Sequence, residues 1–163
     1  MGLSKALALA DSRAGATHGW SDFRPTGLLF YRDGGTEAVF VADPAASVRD
    51  VALATGRAAR THFKDIAALG VICSAWASRQ AGADTTIAPA GAPDRQRARI
   101  IYAVDTGGTA HTFTNVADQR HHEYGPVRDC EPIPALLSQV LAEATFTSWD
   151  FCHTGTHERK PLL

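Results

Sequence analysis

Two stretches of the chain follow one plan. GLLFYRDGGTEAVFVAD occupies 27–43 and RIIYAVDTGGTAHTFTNVAD occupies 99–118, and each is an apolar run, an Asp with Gly-Gly-Thr, and a second run closing on Ala-Asp. Gly-Gly and Asp-Gly supply the positive φ that tight hairpin turns need, and the flanking runs carry the Val, Ile, Tyr, Phe and Thr that favour extended backbone. The pattern predicts two β-hairpins, 28–32 with 38–42 and 100–104 with 110–116, turning at the glycine pairs 34–35 and 107–108.

The same turns invite two chemical readings. Asp105-Thr106-Gly107 resembles the active-site signature of aspartic proteases. A single-chain half of such an enzyme would dimerise through that triplet and would need a later apolar-apolar-Gly segment; after Gly108 the glycines are Gly125 and Gly155, neither preceded by an apolar run. A phosphate-cradling loop needs a helix N-terminus directly after its glycines, whereas a strand pattern follows here, twice. Both stretches therefore read as turns.

Helical patterns fill the remaining chain. A helix precedes the first hairpin. Asp43-Pro44 is a start signal and Gly56 a stop. From 59 to 79, Phe63, Ile66, Ala67, Gly70, Cys73 and Trp76 recur at three- and four-residue spacing, which predicts a central buried helix. Residues 81–97, rich in Ala, Gly, Pro and Asp, read as a loop between two halves. Ile133, Leu136, Leu137, Val140, Leu141 and Ala144 then draw an apolar stripe behind Pro132 and Pro134, which predicts a last helix.

The order gives an α+β fold: an antiparallel sheet of four or five strands built from two β-hairpins and packed with helices on one face. A pseudo-twofold of hairpin–helix halves is expected, with a single meander of unrelated halves as the alternative. The chain reads as one domain, 1–163, with a flexible tail at 152–163, and its size lets it bury roughly two-thirds of the unfolded surface. Leu28 or Leu29, Phe40, Ile66, Trp76, Ile101, Phe113, Leu137 and Leu141 are expected to meet in one core.

Charge narrows the function classes. Lys and Arg total 16 against 17 Asp and Glu, so no overall field draws the chain to nucleic acid or an anionic membrane. No apolar run is long enough to span a bilayer, and the apolar stretch near the N-terminus is short for a signal peptide. Three scattered cysteines fit reduced thiols, so a soluble, cytoplasmic protein is expected. Arg far outnumbers Lys and Ala is abundant, a bias of the kind a high-GC bacterial genome imposes.

Chemistry-bearing residues concentrate late in the chain. Asp118, His121, His122 and Glu123 are a candidate metal set, since neutral imidazole and carboxylate ligate first-row metals, although adjacent histidines on a strand point to opposite faces and no closed zinc spacing is present. His111 and Phe113 should share one strand face beside Asp105, making His111 and Asp105 a candidate base with its orienting partner. His153 and His157 lie four apart in a stretch that Gly155 makes a poor helix. Arg95, Arg97 and Arg99 alternate at the entrance to the second hairpin, where they could line one face and meet a phosphate. Cys73 reads as packing. No pattern names a cofactor.

The favoured reading is a non-catalytic binding or regulatory domain of unknown ligand, with homo-oligomerisation, a homodimer first, as an expected form. The alternative is a small metal-dependent hydrolase using the His, Asp and Glu residues of 105–123. A second alternative is a nucleic-acid accessory protein using Arg95, Arg97 and Arg99.

Overall fold

The computed structural model describes residues 2–61, 65–78, 86 and 88–117. Helix α1 (Leu3–His18) leads into strands β1 (Thr26–Tyr31) and β2 (Thr36–Val39), then helix α2 (Val48–Ala59) and strands β3 (Ile66–Ala77), β4 (Gln96–Asp105) and β5 (Ala110–Val116), with a short 3-10 turn at Pro89–Gly91. The five strands form one antiparallel sheet in the order β2-β1-β3-β4-β5. The fold is α+β.

Both hairpins are present with shifted bounds, β2 being Thr36–Val39 rather than 38–42 and β4 beginning at Gln96, within the expected loop 81–97, and their turns are built alike. Tyr31 N–H donates to Gly35 O and Gly34 N–H to Tyr31 O; Asp105 N–H donates to Thr109 O and Gly108 N–H to Asp105 O. Each is a three-residue loop whose last residue takes positive φ, 93° at Gly34 and 85° at Gly108, the geometry of a turn followed by a glycine bulge. The two Asp-Gly-Gly-Thr likenesses are thus offset in structure: the positive φ falls on the first glycine of one pair and the second of the other. The aspartates differ as well. Asp33 inside its turn accepts from Gly35 N–H at 2.8 Å, and Asp105 at the head of its turn accepts from Gly107 and Thr109 N–H, each at 2.9 Å.

Residues 66–77, expected as the central helix, are strand β3. It lies between the hairpins, paired with β1 through Leu28↔Gly70 and with β4 through Ile72↔Ile101. A run apolar on all sides serves equally as a buried helix or as a central strand covered on both faces, and Ile, Val and Cys within it favour the strand. The sheet is therefore five-stranded, with a hairpin at each edge.

The middle position of β3 makes the core double-sided. Register places Leu29, Leu69, Val71, Ile100 and Val104 on one face, where α2 contributes Val51, Ala52 and Ala59. Leu28, Phe30, Ala68, Ile72 and Ile101 point the other way, under Ala6, Leu7 and Ala10 of α1. Helices thus lie on both faces rather than one, and the adjacent Leu28 and Leu29 enter different clusters. Phe113 packs at the margin of the α1 face. Trp76 is half-buried, and Phe40 is 77% exposed because β2 ends one residue before it. Leu137 and Leu141, the tail, and the helix needed for the second half of a pseudo-twofold lie outside the described residues.

Local signals set the ends of α2. Ser47, not Asp43, is its N-cap: the Ser47 hydroxyl accepts from Asp50 N–H while the Asp50 carboxylate accepts from Ser47 N–H, a reciprocal capping box. Gly56 lies buried within the helix instead of ending it. At Gly27 of β1 the helix comes close: a Cβ there would sit 1.9 Å from Thr55 Oγ1. Glycine at that position lets α2 rest on the sheet.

Candidate functional site

The sequence candidates divide three ways. Asp118, His121, His122 and Glu123 lie outside the described residues, as do His153 and His157. His111 and Asp105 meet as their strand parity requires, His111 Nε2 lying 2.9 Å from Asp105 Oδ2 with both side chains about 30% exposed. The Asp105 carboxyl is held below its ordinary value of 3.8 first by His111 and then by the backbone N–H of Thr109 and Gly107. A carboxylate that already accepts two turn N–H groups is a firm orienter for an imidazole. It is equally the fastening of the β4–β5 turn. Among the described residues no group of three or more His, Cys, Asp or Glu side chains gathers as a metal site.

Arg97 and Arg99 share a face of β4, as expected of alternating strand residues, while Arg95 precedes the strand; all three engage partners within the fold. Arg97 makes a two-pronged ion pair with Asp22, at 2.6 and 2.8 Å, and lies over the Trp76 ring with its carbon 4.1 Å from the centroid. Asp22 is lowered below 3.8 chiefly by that hydrogen bond. Arg95 also stands over Trp76 and donates to Ala90 O. Arg99 is buried: Nε donates to Asp11 Oδ1 at 2.7 Å, one terminal nitrogen to Asp11 Oδ2 at 3.2 Å, and the other to Gly19 O at 2.7 Å, above the Trp20 ring. Asn115 donates to Asp11 Oδ2 as well, at 2.7 Å. Asp11 and Arg99 side chains are only 5% and 7% exposed, so each requires the other to be buried as an ion.

This buried network decides where the open surface lies. Asp11 sits mid-way along α1, and its partners Arg99 and Asn115 come from β4 and β5, so the helix is anchored over the β3–β5 side of the sheet. Strands are spaced about 4.8 Å apart, which puts the edge strands of five roughly 19 Å from each other. A helix is about 10 Å across with its side chains. One helix anchored off-centre reaches Leu28 and Phe30 of β1 but leaves β2 uncovered, and a groove remains between the helix and that edge.

The groove holds about 240 Å³. Its floor is Leu28 of β1, Ala38 of β2 and Ile72 of β3, residues that register places on the α1 face. Ala10, Ala14, Arg13 and Thr17 of α1 form one wall, and Phe40 at the open edge forms the other. Phe23 and His18 close one end, their rings stacked with centroids 4.8 Å apart. Thr26 and Thr36 add hydroxyls, and no Asp or Glu lines the space. Phe40 and Leu9 are the large apolar side chains left exposed among the described residues, and Leu9 lies one turn before Arg13 on α1.

Sequence reasoning missed this groove because it arises from tertiary offset. The one available signal was Asp11, a lone carboxylate in the apolar run ALALAD; Phe40, read as a core residue of a strand 38–42, gave none. Asp11 with Arg99 marks an anchor between distant segments, which no local pattern reveals.

No helix of the described residues is long and apolar enough to cross a membrane. No family model matches the chain, and neither a curated protein nor a solved structure does so.

Proposed function

We propose that this protein is a non-catalytic binding domain whose ligand site is the groove between α1 and the β1–β2 hairpin. The observation that carries the reading is a concave, mostly apolar space open at its edge, beside a 77% exposed Phe40. Binding sites combine an apolar concavity with a few polar groups that set orientation, and Arg13, Thr17, Thr26, Thr36 and His18 provide those here. Exposing Phe40 to water costs free energy that a bound apolar group would recover, about 25 cal/mol per Å² covered.

The test fills the groove. Ala38→Trp places an indole on its floor in a strand position that tolerates aromatics, and folding is checked by circular dichroism. Small apolar probes such as 1-octanol and octanamide should raise the melting temperature of the wild type in a saturable way and leave Ala38→Trp unmoved. Equal shifts in both proteins, or none in either, overturn the reading.

The His111–Asp105 pair supports a second reading, a small metal-dependent hydrolase using the His, Asp and Glu residues of 105–123, with Asp105 and His111 as one subset and Asp118, His121, His122 and Glu123 as a separate, metal-holding one. Its test is metal titration of the wild type beside a His121→Ala/His122→Ala double variant; absence of zinc, manganese or nickel binding tighter than about millimolar ends it. The arginine face gives least support to nucleic-acid binding, because Arg97 and Arg99 already pair with Asp22 and Asp11. Its signature would be a binding constant that falls steeply with salt.

A further inference from the structure

We infer that the ligand of the α1–hairpin groove is a small apolar carboxylate, its chain on the Leu28–Ile72 floor and its head group on the guanidinium of Arg13; this rests on the binding reading proposed above.

The chemistry follows from the charges that line the space. Arg13 is the one side chain of fixed charge in the lining, and no carboxylate faces it there. On the sheet, Arg97 pairs with Asp22 and Arg99 with Asp11, while Arg95 donates to the Ala90 carbonyl. Arg13 is exposed at the rim of the groove, where its methylene stem can cover apolar surface while its fork faces solvent. A planar guanidinium matches a carboxylate with two parallel N–H donors. The Thr17 hydroxyl donates to Arg13 O, so it is already committed as a donor.

The helix fixes where along the groove the head group sits. The negative end of the α1 dipole lies at Thr17 and His18, and its effect is confined to the last turn. The Gly15 and His18 carbonyls there accept from Gly19 and Ser21 N–H. An anion is disfavoured at that end and favoured near Arg13, a turn earlier. The aromatic end, Phe23 stacked with His18, is left for the apolar tail. The occupant is thus a free molecule with an anionic head and a short apolar tail, oriented along the groove from Arg13 toward Phe23.

The experiment compares octanoate with octanamide, which share a tail and differ in charge, by isothermal titration of the whole chain at low and high salt. Octanoate is expected to bind roughly fivefold more tightly than octanamide at low salt, the scale of an accessible ion pair, and the ratio should shrink toward one at high salt. Arg13→Gln should lower octanoate affinity to that of octanamide and leave octanamide unchanged. Equal affinities in the wild type, or a ratio that survives Arg13→Gln, overturn the carboxylate while leaving the groove as a site for neutral ligands. Binding of neither compound overturns both. If the groove is closed instead by a second copy of the chain, sedimentation shows a wild-type dimer that Phe40→Glu converts to monomer, and that result also overturns the inference.

Discussion

Asp11 and Arg99 are 88 residues apart, and each is an ion that the fold could not bury alone. Removing one partner leaves the other desolvated, a loss of about 3–5 kcal/mol. Asp11→Ala should therefore unfold at markedly lower urea, and adding Arg99→Met should recover much of the loss because the stem still fills the space. A double variant no better than Asp11→Ala would show that the network matters for shape rather than charge. Asp105 is a milder case. Its folded value lies below 3.8 because His111 and two turn N–H groups favour the carboxylate, so the stability it adds is present above pH 3.8 and is lost as pH falls through the lower, folded value. Asp105→Asn should flatten the decline of the urea midpoint on acidification through that range. A variant with the wild-type slope would mean that other groups, such as Asp22 and Asp50, which are lowered as well, account for all of it.

At the scale of elements, the turns were legible in the sequence and the identity of β3 was not. Gly-Gly with an Asp one or two residues before it has a local physical meaning, positive φ and a turn-capping carboxylate, so both turns could be read without any tertiary information. Ile66–Ala77 carries no such punctuation: its small and apolar residues fit helix or strand, and the choice is made by β1 and β4 on either side. The start of α2 shows the same contrast on a smaller scale. Asp43-Pro44 is a sound start signal, yet Ser47 with Asp50 forms a reciprocal cap and wins. Ser47→Ala should cost roughly 0.5–2 kcal/mol with an unchanged denaturant slope, measured by urea titration. A negligible loss would mean that packing of Val51 and Ala52 alone holds the first turn. Gly27→Ala should also destabilise, since its Cβ would press on Thr55, whose hydroxyl donates to Val51 O at 2.7 Å.

At the scale of the molecule, the sheet separates two apolar layers, and this has a direct consequence for mutation. Leu69 and Ile101 face opposite ways and are both fully buried, so truncating either to Ala should cost about 2–5 kcal/mol, whereas Phe40→Ala should fall within about 0.5 kcal/mol. The candidate site belongs to this scale too. His111 beside Asp105 was legible from strand parity because both lie within one hairpin. The groove was not, because it depends on where a distant ion pair sets α1 relative to an edge strand. The proposed function requires that space to be a binding site. The most direct measurement is a titration of octanoate into isotope-labelled protein followed by amide NMR. Shifts that saturate and cluster at Arg13, Ala14, Thr36, Ala38 and Phe40 are expected. Shifts centred on His111 and the Asp105 turn, or no saturable shift at all, would contradict it.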